Sequence, residues 1–519
     1  MSVRVRFAPS PTGHVHIGNI RAAIFNWLFA RHHGGTFVLR VEDTDRERCT
    51  PAAIETLLEA MTWLGLNFDE APLYQTTQVE AHRAAAQRLL ATGHAYRHAK
   101  GEGAGEAIVF RLPVHGALPC LRVVGPATLT LHPEAPVRCG LGGIAYALVS
   151  KKGTPAAAEV AYAGMPDLRL YDAAGKLLFD LAPQLDALLA GAPEVAIAGA
   201  VRAEFTRREV FYRDAVKGEL AKPLDSMRDQ VLVRSDGNPV FHLANVCDDI
   251  AQGITHIIRG DDHVENTYRH VLLYHALGAT PPQYAHLPMI VNQAGKPYSK
   301  RDGDAYVGDF RAKGYLPEAL FNYLALLGWS PGDDREMMTR AELVQAFTLE
   351  RVLSSPAQMD LTKLEHLNGR YLAAWAPADF LAAAKAHAPA TDWDAGQFAR
   401  VAALMQSRTK TWAQVADWVY FFTDAYPVDE KAVQKHLARP EAKAALATLR
   451  ERLAALATWD LAGIEAAIHA TTAAAGIGQG KLNLPIRLAV TGTSIGAGLY
   501  ETMALLGRDR VLARLARVG

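Results

Sequence analysis

Pro9-Ser10-Pro11-Thr12-Gly13-His14-Val15-His16-Ile17-Gly18-Asn19 decides how this chain is read. Directly before it, Val3-Arg4-Val5-Arg6-Phe7-Ala8 alternates apolar and polar residues like a half-buried strand. Directly after it, Ile24, Trp27, Leu28 and Phe29 recur at helical spacing within residues 20–31. Strand, Pro/Gly-shaped turn and helix in that order set a helix N-terminus above a sheet edge. Unpaired amides there hold anions, a triphosphate among them. Gly13 and Gly18 allow a nucleotide close to the backbone, and His16 offers a ring nitrogen to a phosphate oxygen.

Moving outward, Gly34-Gly35 closes the helix and Thr36-Phe37-Val38-Leu39-Arg40-Val41 reads as a second strand. Strand–helix–strand opens a parallel, doubly wound α/β sheet. The second strand runs into Glu42-Asp43-Thr44-Asp45, where Glu42 faces the ligand crevice as a partner for a substrate ammonium. Asp43, Thr44 and Asp45 equally suit helix capping. A later strand, residues 254–259, ends in Arg259, whose guanidinium fits a carboxylate bidentately. The alternative for Arg259 is a salt bridge to Asp261 or Asp262. Beyond it, Gly295-Lys296-Pro297-Tyr298-Ser299-Lys300-Arg301-Asp302-Gly303 reads as a loop with glycines at both ends, able to close over phosphates. Lys300 is its candidate for charge developing on the α-phosphate.

These stretches resemble the class I aminoacyl-tRNA synthetases, in the form of the bacterial glutamyl-tRNA synthetases. The opening string is similar to the family's His-Ile-Gly-His signature with its flanking Ala-Pro-Ser-Pro-Thr-Gly, and Asn19 stands where that family has glycine. Arg40-Val-Glu-Asp-Thr-Asp45 resembles Arg-Ile-Glu-Asp-Thr-Asp. The glycine-flanked loop resembles Lys-Met-Ser-Lys-Ser, here with Pro297 for the first lysine and Lys296 one step earlier. The resemblance implies a Rossmann-like nucleotide-binding catalytic domain, an inserted acceptor-binding domain and an all-α anticodon-binding region. It divides the chain at residues 1–105, 106–210, 211–350 and 351–519. It implies glutamate contacts from Arg6, Ala8, Ser10, Glu42, Phe241, Asn245 and Arg259, with Phe241 replacing a family tyrosine. It implies ATP contacts from Pro9, Thr12, Gly13, His16, Gly18, Asn19, Ser299, Lys300 and Arg301, with His16 and Lys300 acting in catalysis.

The expected reaction is ATP-dependent activation of L-glutamate and its transfer to tRNA(Glu), by a cytoplasmic monomer. Mg²⁺ arrives with ATP, and no zinc site is expected, because Cys49, Cys120, Cys139 and Cys247 lie far apart without Cys-x-x-Cys spacing. Two other readings stand beside it: a nucleotidylyltransferase sharing the fold, and a catalytically lapsed paralogue that still binds tRNA. The first is usually much shorter and lacks a long helical tail.

The rest of the 519 residues agrees with a soluble multidomain protein: 54 basic residues balance 54 acidic ones, and half the residues are hydrophobic. The balance is uneven, since residues 351–519 carry 19 Lys+Arg against 15 Asp+Glu, a weak pointer to a polyanion. There is no apolar signal core and no uncharged span of membrane length. Residues 51–64 and 78–92 read as amphipathic scaffold helices. Short alternating runs at 127–131, 168–171 and 176–179 mark a different texture, and residues 114–203 exceed the family pattern; a neutral surface elaboration is expected there. Beyond Pro317 the chain reads as helix to its end, including 340–347, 379–387, 397–405, 412–422 and 441–458. The stretches 359–369, 481–487 and 496–517 are similar to the same family's anticodon region.

Overall fold

The computed structural model describes residues 2–45, 47–99, 105–151, 153–390 and 392–518. The opening unit is as its periodicity predicts. Strand β1 (Arg4–Phe7) leads through the turn into helix α1 (Ile17–His32) and back to β2 (Thr36–Val41), which pairs with β1 in parallel from Arg4↔Thr36 to Phe7↔Leu39. Helix α1 is apolar on nearly all sides because it is buried on nearly all sides: Ile17, Ile20, Ala23, Ile24 and Leu28 have no exposure.

The second half of the sheet comes from far down the chain. After an intervening strand β3 (Leu121–Thr130), it is built by β4 (Arg202–Asp214), α2 (Phe241–Ala251), β5 (His256–Gly260), α3 (Val264–Ala276) and β6 (Gln283–Leu287) in order. β5 and β6 pair in parallel, with Arg259 opposite His286, and β6 meets the end of β4 at Asp214↔Tyr284. Thr255 N donates to Arg4 O at 2.9 Å, joining β1 to the approach of β5. Strand order is therefore Leu73–Tyr74, β2, β1, β5, β6, β4, and the winding reverses between β1 and β5. In open α/β sheets ligands bind at such a reversal, outside the carboxyl ends of the strands.

Between the halves the chain is β-rich. β4 is long enough to leave the parallel sheet and pair antiparallel with β3, from Arg202↔Thr130 to Val210↔Leu121. A separate antiparallel sheet holds Val137–Gly140, Gly143–Val149, Pro155–Val160 and Val195–Ile197. The alternating runs seen at 127–131, 168–171 and 176–179 are strands or parts of strands. One apolar core continues from the parallel sheet into this segment, with Ile257 and Leu272 in the same cluster as Ile144, Val160, Leu170 and Phe205.

Residues 308–323 and 360–519 form a second compact unit, built from helices around their own core. The expectation of helix from residue 317 onward needs two corrections. Ala357–Gln358 is a short strand, paired in parallel with Ile290–Val291. Trp412–Phe421 is a 3₁₀ helix. Its buried residues explain the tighter winding: Trp412, Val415, Trp418 and Phe421 recur every third residue, matching three residues per turn. No helix among the described residues is long and apolar enough to cross a membrane.

Arg514 ties this helical unit together. Its side chain has no exposure, yet it donates to Asp424 Oδ1 at 2.9 Å and to the carbonyls of Tyr420 and Thr423 at 2.8 and 2.9 Å. Arg514→Met keeps the aliphatic stem and strands those carbonyls, so a loss of about 3 kcal/mol is expected. Thermal unfolding of the full chain checks this: the transition of the helical unit moves to lower temperature.

Candidate functional site

A cavity of about 700 Å³ opens where the strand order reverses. Its wall takes residues from the end of β1, the turn, α1, the end of β2, α2, the end of β5 and the loop through Tyr298.

A buried charge cluster underlies one side. Arg40 on β2 has no exposure and donates to Asp249 Oδ1 at 2.6 Å, Gln252 Oε1 at 3.2 Å and Glu42 Oε1 at 3.3 Å. Arg6 on β1 reaches the same Asp249 oxygen through Nε at 3.0 Å. Asp248, beside it on α2, is held by His82 at 2.6 Å and Gln75 at 2.8 Å. The two central carboxylates diverge. Burial pushes the Glu42 carboxyl up, and the attraction of Arg40 and Arg6 does not recover it. Burial acts on Asp249 in the same direction, but Arg40 and Arg6 together hold it below the usual carboxylate range.

Asn245 completes this side. Its Nδ2 donates to Glu42 Oε1 at 2.9 Å, and its Oδ1 is buried with no hydrogen-bond partner among the described residues. A carboxylate only accepts, so the amide orientation is fixed. The cavity wall thus presents a carboxylate and an amide carbonyl, the acceptors a substrate ammonium needs.

Arg259 supplies the opposite charge. It is 7% exposed and donates Nη2 to Thr267 Oγ1 at 2.7 Å and Nε to His286 Nε2 at 3.3 Å. Among the described residues no carboxylate lies within ion-pair distance of it. The alternative of a bridge to Asp261 or Asp262 is not seen; Asp261 pairs with Lys217 at 3.0 Å. Burial lowers the Arg259 pKa from its ordinary value. A buried guanidinium without a counter-charge is costly, and a bound carboxylate relieves that cost.

The turn differs from its sequence reading in one respect. The amides at the start of α1, expected free, are all engaged: Ile17 N with Ala305 O, Gly18 N with His16 Nδ1 at 3.0 Å, and Asn19 N and Ile20 N with His16 O. His16 is itself the cap. Gly18 permits this, since a Cβ there would sit 3.2 Å from His16 Nδ1. Burial keeps the His16 ring below its ordinary pKa. With Nδ1 accepting, the proton of the neutral ring sits on Nε2, and the Tyr298 backbone accepts from the ring.

All seven residues expected to bind the amino acid (Arg6, Ala8, Ser10, Glu42, Phe241, Asn245 and Arg259) line the cavity. Of those expected to bind nucleotide, Pro9, His16, Gly18 and Asn19 line it, whereas Thr12, Gly13, Ser299, Lys300 and Arg301 lie outside its wall. The glycine-flanked loop reaches it through Pro297 and Tyr298. Ser299 is turned onto Asp302, with N and Oγ both 2.9 Å from Oδ2. Lys300 Nζ lies 5.5 Å from the ring centre of Tyr306, and that ring is 5.1 Å from His14 and 6.1 Å from His16. Tyr306 therefore joins the two signature stretches. Sequence reading assigned no role to Tyr306, Arg40, Asp249 or His286. A charge inside an otherwise apolar strand was the one available signal for Arg40.

A family model described as tRNA synthetases class I (E and Q), catalytic domain, matches residues 2–103 and 196–366. One described as anticodon binding domain matches residues 378–518. The glutamate–tRNA ligase of Xanthomonas campestris pv. campestris (strain B100) is 37% identical, covering 99% of this chain and 98% of that protein. Glutamate–tRNA ligase 1 of Gluconacetobacter diazotrophicus is 38% identical, with both chains fully covered. The crystal structure of a glutamate tRNA ligase from Elizabethkingia meningosepticum in complex with its amino acid matches with a TM-score of 0.66 at 26% identity, over 100% of this chain and 99% of that one.

The raised Glu42 carboxyl gives a stability test with a definite sign. Its folded pKa lies above the unfolded one, so the ionised form costs stability at neutral pH and costs none once pH falls below the unfolded value, about 4.3. Glu42→Gln is expected to raise the melting temperature of the ligand-free protein at pH 7, and that gain is expected to vanish at pH 4. Calorimetry at the two pH values checks it.

Proposed function

The chain belongs to the class I tRNA synthetases of the glutamate and glutamine type, and from that premise we propose that it is a glutamate–tRNA ligase. The α-carboxylate of L-glutamate attacks the α-phosphorus of ATP and expels pyrophosphate. A ribose hydroxyl of the terminal adenosine of tRNA(Glu) then attacks the activated carbonyl, and AMP leaves. The observation that carries this assignment is Arg259, a buried cation without a carboxylate partner among the described residues, in a wall that also holds Glu42 and Asn245 Oδ1. An α-amino dicarboxylic acid matches that set of charges.

In this reading Glu42 and Asn245 take the substrate ammonium, and Arg259 and Arg6 take its carboxylates. Ala8, Ser10 and Phe241 shape the pocket, and Phe241 contributes no hydroxyl. Pro9, Thr12, Gly13, Gly18, Asn19, Ser299 and Arg301 frame the nucleotide. His16 Nε2–H exchanges the Tyr298 backbone for a phosphate oxygen, and Lys300 brings its charge to the α-phosphate when the loop closes. Neither step needs a nucleophilic side chain; positioning and charge stabilisation suffice. Mg²⁺ enters as part of the nucleotide substrate, with no zinc required. The working partition is a catalytic domain from residues 1–105 and 211–350, an acceptor-binding insertion at 106–210 and an anticodon-binding region at 351–519, in a monomer acting in the cytoplasm.

Glutamate-dependent exchange of pyrophosphate into ATP, measured with and without tRNA, tests the assignment; no exchange under either condition overturns it. Within that assay, Lys300→Ala is expected to lower the activation rate about a hundred- to a thousandfold with ATP affinity little changed. Lys296→Ala is expected to cost less, because Lys296 sits in the exposed turn before Pro297.

Arg259→Gln tests substrate identity. Guanidinium has only donors, so a glutamine amide facing it leaves N–H against N–H, at about 1–3 kcal/mol for each stranded group. The ratio of kcat/KM for glutamate over glutamine is expected to fall by about an order of magnitude or more. Equal losses with both substrates mean that Arg259 holds the α-carboxylate they share, and discrimination then rests on Arg6.

A further inference from the structure

Behind the cavity, Asp214, His286 and Thr267 form a buried array with Arg259, and only Arg259 of the four lines the wall. Strand register assembles it: β5 sets Arg259 opposite His286 on β6, and the end of β4 sets Asp214 beside β6. The Asp214 carboxylate is fully occupied. Its Oδ1 accepts from Val216 N and Lys217 N at 2.9 Å each, and its Oδ2 accepts from His286 N at 3.1 Å and lies 2.6 Å from His286 Nδ1.

A carboxylate only accepts, so the hydrogen between them belongs to Nδ1 of His286. Burial lowers the His286 pKa and keeps the ring neutral, so Nε2 carries a lone pair. That lone pair accepts Arg259 Nε at 3.3 Å, while Thr267 Oγ1 accepts Nη2 at 2.7 Å. Tyr284 stacks parallel to the His286 ring, at 6.1 Å and 6°, which fixes its plane. The guanidinium is thus gripped along one edge by neutral acceptors. Had Asp214 met Arg259 directly, the ion pair would have competed with any incoming carboxylate. A neutral imidazole between them transmits direction without cancelling charge.

We infer that Asp214 and His286, with Thr267, are positioning residues that aim Arg259 at a substrate carboxylate while leaving its charge uncompensated. The inference rests on the glutamate–tRNA ligase reading.

The test measures KM for glutamate and for ATP in pyrophosphate exchange, with the full chain and tRNA. His286→Asn can still donate to Asp214 but is too short to meet Arg259, whereas His286→Gln places an amide oxygen near the former Nε2. Thr267→Val removes the other acceptor, and with it a hydroxyl 3.1 Å from His286 Nε2, but keeps both partners of the bond between Asp214 and His286 Nδ1, so it decides the matter even if the His286 variants fail to fold. His286→Asn and Thr267→Val are expected to raise KM for glutamate about ten- to a hundredfold, with KM for ATP within about twofold and substantial recovery in His286→Gln. Unchanged KM for glutamate in Thr267→Val overturns the inference, as does a parallel rise in both KM values. If the wild-type protein itself shows no exchange with glutamate, the ligase reading falls and this inference falls with it. Wild-type exchange with unaltered variants removes the inference alone.

Discussion

Arg40 is the group on which the site depends. It lies on a strand of the first half of the sheet, and its strongest partner, Asp249, lies on a helix of the second half, 209 residues later. Such a buried pair contributes little net stability against apolar residues of the same size, but losing either member leaves a stranded charge in the interior. The same two groups set the directions of the wall residues. Asp249 holds Arg6, and Arg40 holds Glu42. The pairing therefore fixes how the halves of the nucleotide-binding fold meet and where a substrate's ammonium and carboxylates would lie.

The two buried arginines, Arg40 and Arg259, are opposites. Arg40 is closed, with Asp249 and Glu42 against it. Arg259 is open, held by a threonine and a neutral histidine. Free energy withheld from internal pairing at Arg259 is retained for binding, a form of preorganisation in which the cost falls on folding. Glu42 follows the same logic from the acidic side, its carboxyl pushed up by burial beyond what Arg40 and Arg6 recover.

What the sequence made legible and what it hid divide along physical lines. The β1–turn–α1 unit was readable because period and turn chemistry are local, and all seven amino-acid contacts expected from the resemblance line one cavity. Trp412–Phe421 was misread because a three-residue repeat and a 3.6-residue repeat coincide over short stretches. The α1 amides were expected free because nothing local says that the His16 ring folds back onto Gly18 N. The links from Arg40 to Asp249 and from Asp214 to His286 depend on strand order and register, which periodicity does not encode.

Tyr306 has a consequence for timing. Lys300 rests on its ring, outside the cavity wall, while the two histidines of the turn flank the same ring. To reach a phosphate in the cavity, Lys300 must leave that ring. An exposed contact of this kind is worth about 0.5–1 kcal/mol, little enough to be broken and remade within each turnover. In the proposed reaction Tyr306 then works as a parking place, holding the ammonium beside the turn instead of letting it sample the whole reach of a flexible side chain.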